Sequence, residues 1–244
     1  MKPKQIIVCL FACIVSFQVF AQNEIYRLRW GLDVPVASVG VGTTITSFVL
    51  HKHKQPLTES QVLGLNIMDI NRFDRSATRQ YSTGAKYASD VLMFGAMATP
   101  SLMLIDKNFR ADWKTVLPIT LESYALTMGI TGLTKELVKR KRPYVYNPDV
   151  PMDKKLEKDA TSSFFSGHTS LTATSCFLTA KFYADYHPDS RWKPLVWTSA
   201  AIVPALTGLL RYKAGKHYWT DILTGYAVGA TVGLLVPVIH KVRN

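Results

Sequence analysis

Three cysteines in 244 residues leave no room for a disulfide framework. Cys9 and Cys13 lie in an N-terminal stretch read below as a leader. Its removal leaves only Cys176, so no intrachain disulfide is expected in the mature chain. Cys176 stands among small and apolar neighbours in TATSCFLTA, where a buried, inert thiol is expected. Strand signals are missing too: no sustained apolar–polar alternation is joined by Asn-Gly or Asp-Gly turns. The chain has no internal repeat, no low-complexity tract and no long linker. It also has no Gly-rich mononucleotide loop and no nucleophile-elbow serine. Acidic residues are scarce, 17 against 29 Lys and Arg, which gives a formal net charge of +12. Such an excess points to an anionic partner. The basic residues form no stripe that could track a nucleic acid, so none is expected as a partner. They gather instead in TKELVKRKRP (Thr134 to Pro143) and RYKAGKH (Arg211 to His217), which predicts local anion sites.

What the chain does have is a series of apolar runs separated by polar connections. They cover about 34–50, 88–105, 116–133, 169–183, 195–210 and 222–239. Their length and their Ala, Leu and Met content predict helices. The Gly and Thr within them suit close packing inside a membrane. Several approach the ~20 residues that cross a bilayer. A mean hydropathy of +0.07 is low for a chain built mostly of spans, which keeps a soluble exported bundle as the alternative. Trp30, Trp113, Trp192, Trp197 and Trp219 fall near the ends of runs, where interfacial tryptophans sit. Residues 1–21 read as an export signal. Lys2 and Lys4 open it, an apolar run from Ile6 to Phe20 follows, and Ala21 is a small residue at a cleavage point. A retained anchor is the alternative. The expected organisation is this leader, an N-terminal helix with a polar connector over 22–87, and a helical core over 88–244.

Three clusters carry chemistry. In KELVKRKRP, Lys135 and Arg142 are seven apart, which on a helix puts both on one face, with Pro143 as its stop. Ser166, Gly167 and His168 precede a helical run. There free N–H groups and the helix dipole bind anions, Gly167 lets the backbone come close, and Ser166 offers a hydroxyl. A plain serine cap beside a bystander histidine would look the same. In RYKAGKHYWTD, Arg211 offers a planar fork for phosphate oxygens. His217 and Asp221, four apart, would share a helix face, so the carboxylate could accept the imidazole N–H. His168, His217 and Asp221 could in principle ligate zinc. But Lys135, Arg142 and Arg211 would crowd the same pocket and repel a metal, so neither metal nor cofactor is expected.

In that order, Lys-x6-Arg-Pro, Ser-Gly-His and Arg-x5-His-x3-Asp resemble the type 2 phosphatidic acid phosphatase (PAP2) superfamily. That group also holds bacterial class A acid phosphatases and vanadium haloperoxidases. The matching part runs from about Lys135 to Asp221. The resemblance implies an all-α bundle of about six core helices, embedded in a membrane, with the active site at one end. It implies that His217 attacks phosphorus to give a phosphohistidine, that Asp221 orients it, and that His168 protonates the leaving oxygen. Lys135, Arg142, Ser166, Gly167 and Arg211 would hold the phosphoryl oxygens. Two positions depart from the pattern. Phe165 replaces the usual proline before Ser-Gly-His, and Leu210 replaces a common serine before the arginine.

The resemblance implies a metal-independent phosphatase acting on a phosphate monoester or diphosphate of a membrane lipid. Candidates are phosphatidic acid, phosphatidylglycerol phosphate, undecaprenyl diphosphate and lipid A. A soluble periplasmic acid phosphatase of broad specificity, or a vanadium haloperoxidase, is the alternative. The expected setting is the bacterial inner membrane, with the site facing the periplasm and no obligate protein partner. Orientation is where this reading strains. If every run after a cleaved leader spans, the site turns to the cytoplasm. A first run that lies at the interface or packs without spanning would turn it back.

Overall fold

The computed structural model describes residues 24–242. The leader 1–21, with Cys9 and Cys13, lies outside them. Six long helices carry the fold: α1 (Trp30–His53), α2 (Thr83–Leu102), α3 (Trp113–Val138), α4 (Gly167–Tyr186), α5 (Lys193–Lys213) and α6 (Trp219–His240). Each carries one of the six apolar runs, the second ending in a 3-10 turn (Met103–Ile105) just past α2. No strand is present among the described residues; the only β-type contact is an isolated bridge between Tyr26 and Lys241.

Five of the six, all but α4, are long and apolar enough to cross a membrane. They leave Ile45, Phe48, Val91, Phe94, Leu121, Leu195, Ile202 and Leu223 exposed around the bundle. An apolar belt of that extent fits lipid and not water, and the chain is a membrane protein. Trp30, Trp113 and Trp192 stand exposed at the starts of α1, α3 and α5, on one side of the belt, as interfacial anchors do. Trp197 and Trp219 differ: they pack against Phe177 and Tyr212.

Helix α4 is the central post. Its sequence is rich in Thr and Ser, and in a bilayer each hydroxyl needs a partner. Neighbouring helices supply several: Thr127 to Thr174 at 2.8 Å, Thr131 to Ser170 at 3.2 Å and Thr99 to Thr179 at 2.8 Å. On the α6 side the backbones nearly touch. A Cβ on Gly229 would stand 2.1 Å from the Ser170 carbonyl, and Gly225 and Gly233 meet Ser166 and Thr174 in the same way. Only a residue without a side chain admits this approach. Helix α1 uses the same device on α3, where Gly40 lies against Ala125 and Gly129 against Thr43. These contacts advance together along both helices, so α1 runs upright and parallel to α3. Of the two expectations for the first run, lying flat at the interface is corrected: small residues let it dock along α3.

The helices alternate in direction, so all long connections of the second half emerge at one end. Residues 139–166 and 214–218 join the connector 54–82 there. The connector is pinned by buried Asp74, which accepts from Thr220 N at 3.0 Å and from Arg140 Nη2 at 2.8 Å. The opposite end is closed by an apolar core of Phe109, Ile119, Leu178, Phe182 and Val236.

Candidate active site

The three sequence clusters converge at the loop end. Lys135 projects from the last turn of α3 and lies over the start of α4: a Cβ on Gly167 would be 3.3 Å from its Nζ. The helix then stops at Lys139, which takes a left-handed φ of 50°. Arg142 follows in extended backbone. It does not share a helix face with Lys135; it reaches the pocket through the turn that Lys139 makes. Its guanidinium is fixed by the Asp159 carboxylate at 2.7 Å and the Lys216 carbonyl at 2.9 Å.

Ser166 caps α4, its hydroxyl accepting from Thr169 N at 3.4 Å. It is fully buried beneath the site. His168 follows in the first turn, with Nε2 2.7 Å from Asp90 Oδ1. Asp90 also holds Arg211 Nη1 at 3.3 Å. Burial, then the positive charge of Arg211, lowers the His168 pKa to about 3 against the pull of Asp90.

His217 is buried in the short connection before α6. Its Nδ1 lies 2.7 Å from the Ser163 carbonyl, which can only accept, so Nδ1 carries the hydrogen. Nε2 then presents its lone pair, 3.1 Å from Arg142 Nη1. Burial, reinforced by Arg142, Arg211 and Lys135, holds the imidazole pKa well below its ordinary value. This is a neutral nitrogen base set among fixed cations. Lys216 feels the same crowding: burial and then Arg142 lower it to about 8.

Asp221 differs from the sequence expectation. The helix begins at Trp219, so His217 and Asp221 do not share a helical face. Asp221 Oδ2 stands 3.6 Å from His217 Nδ1, and the Ser163 carbonyl takes the imidazole N–H in its place. The carboxylate instead gathers Arg140 Nη1 at 2.5 Å, Ser163 Oγ at 2.5 Å and Tyr218 N at 3.0 Å. It thereby braces the loop that holds the histidine. Arg140, Ser163, Asp90 and Asp159 are members of the site that the sequence reading missed.

Two cationic groups have a nitrogen left without a partner. Arg211 Nε is buried and has no hydrogen-bond partner among the described residues. Lys135 Nζ makes no side-chain hydrogen bond among them either. Donors left open beside a helix N-terminus form an anion site. A PAP2 superfamily model matches residues 116–244, which takes in all three clusters. The chain belongs to the PAP2 superfamily. Among relatives, it is 27% identical to phosphatidylglycerophosphatase B of Bacillus subtilis (strain 168), over 52% of this chain and 59% of that one. It is 26% identical to the lipid A 1-phosphatase of Porphyromonas gingivalis, over 75% and 37%. Phospholipid phosphatase 1 of Rattus norvegicus is 26% identical over 45% and 46%. The chain thus spans about half the length of the curated relatives it matches. The crystal structure of a transmembrane PAP2-type phosphatidylglycerolphosphate phosphatase from Bacillus subtilis superposes with a TM-score of 0.53 at 19% identity, covering 83% of this chain and 96% of that one. That likeness establishes the shared PAP2 bundle.

Proposed function

We propose that this PAP2 protein hydrolyses a phosphate monoester or diphosphate at the headgroup of a membrane lipid. One observation carries the reading: a neutral His217, its Nε2 lone pair turned toward Arg142 Nη1, stands among Arg142, Arg211 and Lys135, and Arg211 Nε is left open for an anion. Phosphoryl transfer needs its equatorial oxygens neutralised and a nucleophile in line. Fixed cations supply the first without a metal in the pocket, and His217 the second. His217 Nε2 forms a bond to phosphorus while the bond from phosphorus to the lipid oxygen breaks. His168, protonated once the bound phosphate offsets the Arg211 charge, gives its proton to that oxygen. Water then attacks phosphorus, His168 takes the proton, the N–P bond breaks and inorganic phosphate leaves. Asp221 and Ser163 hold His217 in place.

Five spanning helices favour a lipid over a soluble ester, since the pocket opens at the end of an apolar belt. Phosphatidylglycerol phosphate, phosphatidic acid, undecaprenyl diphosphate and lipid A all present the required group. The site is proposed to face the periplasm of an inner membrane, which with α1 upright requires that residue 24 stay on the cytoplasmic side. Because Tyr26 and Lys241 pair at the opposite end of the bundle, this orientation puts both of them on the cytoplasmic side.

The test is phosphate release from these four lipids in detergent, with EDTA in the assay, by the intact protein and by His217→Ala. Release from one of them that falls about 1,000-fold or more in the variant supports the proposal. Release from a small soluble ester alone would replace the lipid by a soluble substrate. Equal rates in protein and variant would remove His217 from the mechanism.

A further inference from the structure

At the end of the bundle away from the phosphate pocket, three side chains from three helices meet. Asp33 comes from the first turn of α1, Glu122 from α3 and His240 from the last turn of α6. One ligand-type atom from each lies within 4.8 Å of the others. His240 Nε2 is 2.6 Å from Asp33 Oδ1 and 3.4 Å from Glu122 Oε2. The His240 side chain is fully buried and that of Glu122 is 8% exposed.

The hydrogens do not suffice for these atoms. His240 Nδ1 lies 2.6 Å from the Val236 carbonyl, which only accepts, so Nδ1 carries a hydrogen. In the neutral ring Nε2 then bears a lone pair, and it faces two carboxylate oxygens. Three acceptors converge with no donor between them. A second proton on the ring satisfies the contact with Asp33. Glu122 Oε2 still has no hydrogen-bond partner among the described residues. A buried carboxylate oxygen left unpaired is costly, and more so among apolar helices. A cation at the centre satisfies all three atoms at once. His240 is also held as metal-binding histidines are: its other N–H is fixed by a backbone carbonyl, which orients the ring and leaves Nε2 for the ion.

We propose that Asp33, Glu122 and His240 bind a divalent metal ion of the zinc class, which clamps α1, α3 and α6 together. One imidazole nitrogen with two carboxylates suits zinc or its transition-metal neighbours better than calcium or magnesium, which favour oxygen alone. Two carboxylates balance the charge of a dication. Zinc bonds of about 2 Å in a tetrahedral array place ligand atoms about 3.3 Å apart. Glu122 and His240 already have that spacing, Asp33 Oδ1 opens from His240 by less than about 1 Å to reach it, and the Asp33 and Glu122 oxygens lie within 4.8 Å of each other. Asp33, the most exposed of the three at 14%, marks the way in and leaves a fourth position for water. The ion is structural, so the proposal stands apart from the phosphatase reading.

The experiment uses the full chain without an affinity tag, purified in detergent, stripped with a chelator and titrated with Co2+ and then Zn2+. The expected result is one equivalent of Co2+ with the visible absorption of a low-coordinate site, displaced by Zn2+, and a higher melting temperature with either metal. Glu122→Gln and Asp33→Asn keep the side-chain volumes and are each expected to weaken binding about tenfold or more. His217→Ala is expected to bind as the parent does, which separates this site from the phosphate pocket. If Glu122→Gln fails to fold, the more exposed Asp33→Asn decides. No cobalt spectrum and no shift in melting at saturating metal would overturn the proposal and leave a protonated His240 between two carboxylates. Undiminished binding in the folded variants would overturn it equally, by placing the ion elsewhere.

Discussion

His168 Nε2 stands 2.7 Å from Asp90 Oδ1, and the same carboxylate oxygen is 3.3 Å from Arg211. One side chain of α2 therefore reaches both His168, proposed for proton transfer, and Arg211, proposed to bind phosphate. Asp90 acts as a positioning residue, and its charge is the main force that favours a protonated His168. Removing that charge in Asp90→Asn lowers the His168 pKa further. Activity at neutral pH is expected to fall roughly tenfold or more, with the optimum displaced to lower pH. Asp90→Glu, which restores the charge, is expected to recover part of the rate. A pH profile of kcat/KM for the three proteins checks this; an unmoved profile would remove Asp90 from proton transfer.

The two site histidines also set how stability responds to acid. Both have folded pKa values below the ordinary 6.5, about 3 for His168 and well depressed for His217. As pH falls below about 6.5, the unfolded chain takes up protons that the folded chain declines. Stability is therefore present above pH 6.5 and is lost as pH falls toward 3. Melting in detergent is expected to drop across that window, and to drop less in His217→Gln. Bound phosphate or vanadate is expected to raise the His168 pKa, readable from its imidazole proton resonance.

A helix contact as close as any in the bundle predicts a size limit. Gly229→Ala would set a Cβ against the Ser170 carbonyl, and overpacking of this kind costs about 1–3 kcal/mol. Gly95→Ala, on α2 with nothing within 4 Å of the added carbon, is expected to be neutral or slightly stabilising. Thermal melts of the pair separate close packing from a general effect of replacing glycine.

Orientation is open to a reporter fused after residue 242. A fluorescent protein that matures only in the cytoplasm is expected to shine there if the site faces the periplasm. A reporter active only outside the cytoplasm would turn the site inward, and would show that the leader carries residue 24 across.

The long helices were legible because each apolar run is continuous and several approach spanning length. The three clusters were legible because each is local. What sequence spacing could not supply was the loop geometry between them. Seven residues from Lys135 to Arg142 suggested two helical turns, but Lys139 turns left-handed and ends the helix. Four residues from His217 to Asp221 suggested one face, but the helix starts only at Trp219. Asp90 had one trace, a lone charge at the head of an apolar run, 78 residues before its partner. Arg140 sat unmarked among the other cations of KRKRP, although it is the one that binds Asp221 and Asp74. Glu122 lies inside the third apolar run, Asp33 just before the first and His240 just after the last, and only the folded bundle brings them together.

Arg27 N donates to the His240 carbonyl at 2.9 Å, and Val242 N to that of Ile25 at 3.0 Å. The described chain is therefore nearly a closed ring, and helix order is a matter of where that ring is cut. Joining these ends and opening the ring between Pro188 and Trp192 would give a protein that starts at α5 and ends with α4. Each connection at the site end would remain intact. The pocket belongs to the circle of helices and not to the order in which a ribosome delivers them.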